Sequence, residues 1–305
     1  MIYTLTTNPA IDMNIKSQEL QPSVVNRTEN MQFIPNGKGI NVSLVLKHYG
    51  IASKAVGFFG GFTGKYIVEE LSNSGLAVVP IWLDETTRIN IFVNDGNNEF
   101  KFVNKGSFVA KEPQEEMLAV IRDLKDCTYL VISGSLPPGI DESYYDTILE
   151  ICKEHSIEVI LDISSQRLKT LLSYNPLLIK PNDEEIKDIF GIEITDKSDV
   201  QQALFYLKEL GARNVLLTLG EKGLYFFNGT TIYNCTAPKI QLFSSACAGD
   251  SALGGFLSEW LFGHSLENAL KKASATGANV AEVEGIGSLD KVNEYMKQLK
   301  VREVV

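Results

Sequence analysis

Cysteine, histidine and positive charge are all scarce in this 305-residue chain, and each shortage excludes something. The four cysteines, Cys127, Cys152, Cys235 and Cys247, form no CxxC pair. That argues against a disulfide framework and for reduced thiols in a cytoplasm. The three histidines, His48, His155 and His264, lie far apart and lack the spacing of a zinc site. Lys and Arg number 28 against 38 Asp and Glu, a net charge of −10. With no cationic excess to replace phosphate counterions, nucleic acid is not expected as a partner. No run approaches the roughly 20 apolar residues of a membrane helix. The segment Met1–Ala10 lacks the basic start and apolar stretch of a secretory signal. A cytoplasmic location with no membrane partner is the expectation.

Familiar nucleotide and nucleophile signatures are missing too. A P-loop needs GxxxxGK[ST], but Phe59 stands in the first position before Gly64-Lys65, with Tyr66 after it, and Gln32 stands there before Gly37-Lys38. No GxGxxG follows a strand. Gly134-Ser-Leu-Pro-Pro-Gly139 has the wrong spacing for a GxSxG elbow.

What is present is a balance of 44% hydrophobic and 22% charged residues, typical of a globular protein large enough to bury a substantial core. Short aliphatic runs, Ile2–Thr6, Ala55–Phe59, Tyr129–Ser133, Val159–Ile163, Leu177–Ile179 and Val215–Leu219, predict strands buried on both faces. Helical patterns at 41–48, 64–73, 113–124, 143–155, 183–190 and 200–210 fall between them. This alternation predicts βαβ units and an open parallel sheet, with a mostly helical chain after Ala248. Residues from about 11–35 and 86–106 instead alternate polar and apolar, as in Arg88-Ile-Asn-Ile-Phe-Val-Asn, with a hairpin signal at Asp95-Gly96. They predict a small sheet, with one wet face, standing off the main body.

Four segments have the composition of binding sites. In Ala246-Cys-Ala-Gly-Asp250-Ser, a turn of small residues opens a helix, where amides and dipole favour an anion. Asp250 suits either a base beside a transferring phosphoryl group or a plain N-cap. Lys180-Pro-Asn182-Asp-Glu-Glu185 joins a strand to a helix and suits either oxygen ligands for Mg²⁺ or a capped helix start. Asn36-Gly-Lys38-Gly-Ile-Asn41 places glycines around a Lys before a helix. Thr218-Leu-Gly220-Glu-Lys-Gly223 is a glycine-bounded turn after a strand that permits close approach of a ligand. Arg88 and Lys105, near the small sheet, are candidates for clamping a substrate anion.

In this order the segments resemble the PfkB (ribokinase-like) family of sugar kinases over essentially the whole chain. The resemblance rests on Thr7-Asn8-Pro9-Ala10-Ile11-Asp12, Gly37-Lys38-Gly39-Ile40-Asn41-Val42, Thr87-Arg88-Ile89-Asn90 and Ser133-Gly134-Ser135-Leu136-Pro137. It continues through Lys180-Pro181-Asn182 to Glu185, Leu219-Gly220 and Ala248-Gly249-Asp250-Ser251. The first two are similar to the branch of 1-phosphofructokinases and tagatose-6-phosphate kinases, and Thr-Arg-Ile-Asn to its 1-phosphofructokinase side. The resemblance implies a ribokinase-like three-layer α/β/α core with a mostly parallel sheet and a small β lid. Both would belong to a single kinase chain, 1–305, with the lid inserted discontinuously from about 11–35 and 86–106.

By the same resemblance, the function would be transfer of the γ-phosphoryl of ATP, with Mg²⁺, to a phosphorylated ketohexose. Fructose 1-phosphate is the first expectation and tagatose 6-phosphate the second. Asp250 would be the general base, with the Ala248 and Gly249 amides and the Cys247 loop around the phosphoryl group. Asp12, Gly37, Lys38 and Asn41 would hold sugar hydroxyls, and Arg88 the existing phosphate. Lys180, Asn182, Thr218, Gly220, Gly223 and Asn279 would line the nucleotide, and Asn182 and Glu185 would organise Mg²⁺ through water. The lid sheet would be the surface for a homodimer. Two departures stand out, Cys247 and Asn36, where the branch usually carries glycine. Asn36 is expected to matter mildly, as a residue tolerant of left-handed backbone. Cys247 is expected either to forbid a positive φ or to leave a thiol whose pKa the helix dipole lowers. It is also the one residue favouring a non-catalytic sugar-phosphate or nucleotide sensor of the same fold, against which the retained Asp250, Asn182 and Glu185 speak.

Overall fold

A computed structural model describes residues 1–304. The chain runs β1 (Ile2–Thr6), β2 (Ala10–Ser17), β3 (Thr28–Asn36), α1 (Lys38–His48), β4 (Ser53–Gly60), α2 (Gly61–Asn73), β5 (Ala77–Leu83), β6 (Ile89–Asn94) and β7 (Glu99–Phe102). It continues α3 (Lys111–Arg122), β8 (Tyr129–Ser133), α4 (Tyr144–Glu154), β9 (Glu158–Asp162), α5 (Leu168–Leu171), β10 (Leu178–Ile179), α6 (Asp183–Phe190) and α7 (Lys197–Glu209). The last third is β11 (Val215–Thr218), β12 (Leu224–Phe227), β13 (Ile232–Cys235), α8 (Ala248–Trp260), α9 (Leu266–Ala281), α10 (Val292–Gln298) and β14 (Val301–Glu303). No helix among the described residues is long and apolar enough to cross a membrane.

The large sheet has the order β14-β13-β12-β11-β10-β9-β8-β1-β4-β5. From β5 to β11 the pairs are parallel, as the continuous apolar runs predict; β12, β13 and β14 add an antiparallel edge. Alternate strand residues point to opposite faces, so Tyr3 and Leu5 join one apolar cluster and Ile2 the other. Helices α3, α4, α6 and α7 cover the first face through Met117, Ile148, Ile186 and Leu204. Helices α1, α8 and α9 cover the second through Val45, Phe256 and Ala273. This is the three-layer α/β/α core of the ribokinase-like fold.

Two close approaches set the geometry of the crevice. A Cβ on Gly39 would stand 2.9 Å from the Leu5 carbonyl oxygen, so α1 begins hard against the end of β1. A Cβ on Gly254 would stand 2.8 Å from Val45, so α1 and α8 pack nearly backbone to backbone. Together they bring the first turns of α1 and α8 to the same spot above the sheet.

The second sheet, in the order β3-β2-β6-β7, is separate and mostly antiparallel, with β2 and β6 parallel. The turn between β6 and β7 carries Gly96 at φ 85°, as the Asp-Gly signal predicts. One face, carrying Asp12 and Asn90, is turned to the crevice and to a smaller cavity beside it. The other carries two apolar rows, Phe33–Met13–Ile91–Phe102 and Met31–Ile15–Val93–Phe100.

Candidate active site

The carboxyl ends of the central strands converge on one crevice of about 530 Å³. Thr6 of β1, Ser133 of β8, Lys180 after β10 and Thr218 of β11 all line it. The position fits the rule that open α/β sheets bind ligands outside the strand ends, where connections leave in opposite directions. Gly37, Lys38, Arg88, Asn90, Asn182, Cys247, Gly249 and Asp250 complete much of the wall.

At the centre are two ammonium groups and three carboxylates. The Asp162 side chain has no exposure; its Oδ1 lies 3.1 Å from Lys180 Nζ and 3.4 Å from Lys38 Nζ. Lys38 also reaches within 3.8 Å of Glu185 Oε1. Burial pulls the Lys38 ammonium down, but Asp162, Asp250 and Glu185 outweigh it and hold its pKa well above the usual lysine range. Burial pushes Asp162 up, but Lys180 and Lys38 overcome it and keep the carboxylate ionised. Asp250 goes the other way. Burial and the neighbouring Asp162 raise its pKa, opposed only partly by Lys38, Asn41 and Lys180. Its Oδ2 accepts a hydrogen bond of 3.0 Å from Asn41 Nδ2. A raised carboxyl pKa is the direction that suits a proton acceptor. Asp162 escaped the sequence reading, although a carboxylate closing the apolar run Glu158-Val-Ile-Leu-Asp162 was a usable signal.

Cys247 sits at the N-cap of α8 with φ 61°, so the side chain does not forbid the left-handed turn. Nor is its thiol acidified. Burial, then Asp250 and Asp12, push it far above the ordinary value. Gly249 lines the crevice, whereas the Ala248 amide donates to Ser245 O at 3.4 Å.

Asn182 and Glu185 form a capping box on α6. Asn182 Oδ1 accepts from the Glu185 amide at 2.7 Å, and Glu185 Oε2 from the Asn182 amide at 3.0 Å. Glu185 Oε1 accepts from Ser164 Oγ. Among the described residues no three His, Cys, Asp or Glu side chains are grouped to hold a metal ion by themselves.

On the acceptor side the structure redraws four expectations. Asp12 lines not the main crevice but a smaller cavity beside it, covered by Asn36 Nδ2 on Oδ2 and by Asn90 Nδ2 on Oδ1 at 2.9 Å. Burial raises its pKa against these amides and Arg88. Arg88 does line the crevice, but it also donates to three backbone carbonyls, Asn8 at 2.8 Å, Asn104 at 2.7 Å and Pro9 at 3.4 Å, tying the small sheet to the core. Lys105 is exposed and outside the crevice lining. Asn36 ends β3 without a left-handed backbone; what it contributes is its side chain.

On the nucleotide side, Thr218 lines the crevice and bridges to Asn182. Gly220 is exposed in the turn that follows, with open space where a Cβ would be. Gly223 is needed by the fold: at φ 88°, a Cβ would lie 2.1 Å from Cys235 O. Asn279 is buried in α9, where its Oδ1 accepts from the Lys291 amide at 2.9 Å, and it does not line the crevice.

The raised Asp250 carboxyl predicts a stability effect. An unfolded aspartate loses its proton near pH 3.9, the folded Asp250 only at higher pH. Above that range, ionisation therefore favours the unfolded chain. Asp250→Asn is expected to raise Tm by a few degrees at pH 7, with the gain shrinking as pH falls toward 4. Scanning calorimetry at several pH values checks this; a lower Tm at pH 7 contradicts it.

The chain is similar to known proteins over nearly its whole length. The family model described as pfkB family carbohydrate kinase matches residues 5–292. A D-tagatose-1-phosphate kinase of Klebsiella oxytoca is 49% identical over 301 residues, 99% of both chains. A 1-phosphofructokinase of Bacillus subtilis is 34% identical over 304 residues, again 99% of both. The crystal structure of phosphofructokinase-2 from Escherichia coli in complex with fructose-6-phosphate superposes with a TM-score of 0.87 at 27% identity, over 97% of this chain and 99% of that one. With its three-layer core, separate small sheet and crevice at the strand ends, the chain belongs to the pfkB family of carbohydrate kinases.

Proposed function

We propose that this kinase transfers the γ-phosphoryl of ATP to the free terminal hydroxyl of a ketohexose 1-phosphate, with Asp250 as general base. The observation that carries the reading is Asp250 itself: a buried carboxyl with a raised pKa, at the first turn of α8 and close enough to Lys38 to feel its charge. The acceptor hydroxyl gives its proton to Asp250 as its oxygen attacks the phosphoryl group in line, and ADP leaves. Lys38, Lys180 and the Gly249 amide face the charge that moves onto the phosphate oxygens.

Sequence patterns favour fructose 1-phosphate as the acceptor. The 49% identity to a relative named D-tagatose-1-phosphate kinase, against 34% to one named 1-phosphofructokinase, moves the preference to D-tagatose 1-phosphate. The two sugars are epimers at C4. Mg²⁺ would come with the nucleotide phosphates, supplying charge neutralisation there. Glu185 and the buried Asp162 Oδ2, which has no hydrogen-bond partner, would meet its waters, a hard oxygen set that suits this ion.

The small sheet would act as a lid, with a second copy of the chain on its outer face. Of the eight residues in its two apolar rows, Met31, Phe33, Phe100 and Phe102 are exposed, more apolar surface than an isolated sheet leaves wet.

Two experiments test these readings. ADP release from Mg·ATP is expected to be fastest with D-tagatose 1-phosphate, then fructose 1-phosphate, and slow with the 6-phosphates; Asp250→Asn is expected to lower kcat by about 10²–10⁴-fold. Preference for a 6-phosphate, or near-full rate in the variant, contradicts the assignment. Light scattering is expected to give a dimer for the wild type and a monomer for the Phe33→Glu, Phe102→Glu variant; a monomeric wild type rejects the lid interface.

A further inference from the structure

The main crevice has a neighbour. A smaller cavity of about 130 Å³ lies under the inner face of the small sheet, lined by Asp12, Asn14, Phe92 and Phe243 among others. Asn36 and Cys247 are the two residues that line both cavities. They meet across the gap, Cys247 Sγ standing 3.9 Å from Asn36 Oδ1. The partition between the cavities is therefore two side chains, one from the end of β3 and one from the N-cap of α8.

Asn36 is also fixed more firmly than a surface amide. Its Nδ2 donates to Asp12 Oδ2, and its Oδ1 accepts from the Gly37 amide at 2.6 Å and from Asn41 Nδ2 at 2.9 Å. Asn41 Nδ2 in turn donates to Asp250 at 3.0 Å. The Asn36 amide thus stands between the Asp12 carboxylate and the group that takes the proton. It covers Asp12 on the side of the main crevice, part of whose wall it forms.

We propose that Asn36 and Cys247 form the acceptor-selecting wall of this enzyme. The proposal rests on the ketohexose 1-phosphate reading above. With the terminal hydroxyl at Asp250 and the sugar running toward Arg88, the hydroxyls next to the reacting carbon face Asn36 instead of Asp12. A fixed amide discriminates hydroxyl configuration there, because the wrong epimer leaves unpaired the Nδ2 hydrogen that Asp12 does not take. Cys247 holds the amide in place and fills the space through which the sugar would otherwise tilt into the side cavity. With glycine at either position the partition opens, Asp12 faces the acceptor, and selectivity at C4 falls.

The test is the ratio of kcat/KM for D-tagatose 1-phosphate and D-fructose 1-phosphate. It is measured for the wild type and for the Asn36→Gly, Asn36→Ser, Cys247→Gly, Cys247→Ser and Asn36→Gly, Cys247→Gly variants, with folding checked by Tm. The wild-type ratio is expected to be far from one. Asn36→Gly is expected to move it toward one by about tenfold, a single lost hydrogen-bonding contrast, with KM for ATP within about twofold of the wild type. Cys247→Gly is expected to move it by less, and the double variant by less than the product of the two, because the side chains touch. Cys247→Ser, which refills the wall, is expected to restore the ratio, and Asn36→Ser to fall between. A wild-type ratio near one overturns the proposal. So does a ratio unchanged in Asn36→Gly and Asn36→Ser, or a KM for ATP that moves together with the acceptor ratio. If neither 1-phosphate is turned over, the substrate reading fails by itself. The wall is then judged by the same criteria on the two best epimeric acceptors of the sugar-phosphate panel.

Discussion

Asp162 lies buried between Lys38 and Lys180, and the rest of the crevice depends on that arrangement. An isolated carboxylate at this depth would be costly enough to take up a proton. Two ammonium groups keep it ionised, and the cluster then tolerates Glu185 and Asp250 close by. Removing both lysines would leave this buried charge uncompensated, an effect of about 3–5 kcal/mol. The lysines hold the crevice together, and under the proposed function they would also supply the positive charge that a phosphoryl-transfer site needs.

From that cluster the architecture follows outward. Lys38 is the first residue of α1, and Gly39 lets that helix start against β1. Gly254 then lets α8 lie on α1, which puts Asn41 within hydrogen-bonding distance of Asp250. Asn36 extends the same line of amides to Asp12 and so to the small sheet. Arg88 fastens the sheet to the core by three backbone carbonyls. The carboxyl that is raised and the carboxyl that is kept ionised are both products of this packing, since distance to Lys38 and Lys180 separates their behaviour.

Much of this was legible in the sequence, and what was not has a physical reason. Continuous apolar runs such as Ile2–Thr6 and Tyr129–Ser133 matched their strands because both faces of a central parallel strand are buried. The polar-apolar alternation of 86–106 gave away the small sheet for the opposite reason. The antiparallel edge was not named, because Leu224–Phe227 and Ile232–Cys235 are too short to carry a period. Motif order located Asp250, Lys38, Asn182 and Thr218 in one crevice, but it could not say which face a side chain would take. Asn279 therefore proved to be a buried loop anchor and Asp12 lay behind Asn36. The Cys247 thiol needed the structure most. From sequence only the helix dipole was visible, whereas the folded chain adds burial and two carboxylates, which act in the opposite direction.

The central claim is that Asp250 is the proton acceptor and that its pKa is set by the balance of burial and Asp162 against Lys38. The most direct measurement is the pH dependence of kcat at saturating substrates in the wild type and in Lys38→Met. Lys38 lowers the Asp250 pKa, so its removal raises it. The account predicts an acid limb above the ordinary aspartate range in the wild type, moving to higher pH in the variant. An acid limb that stays in place, or moves to lower pH, would contradict it.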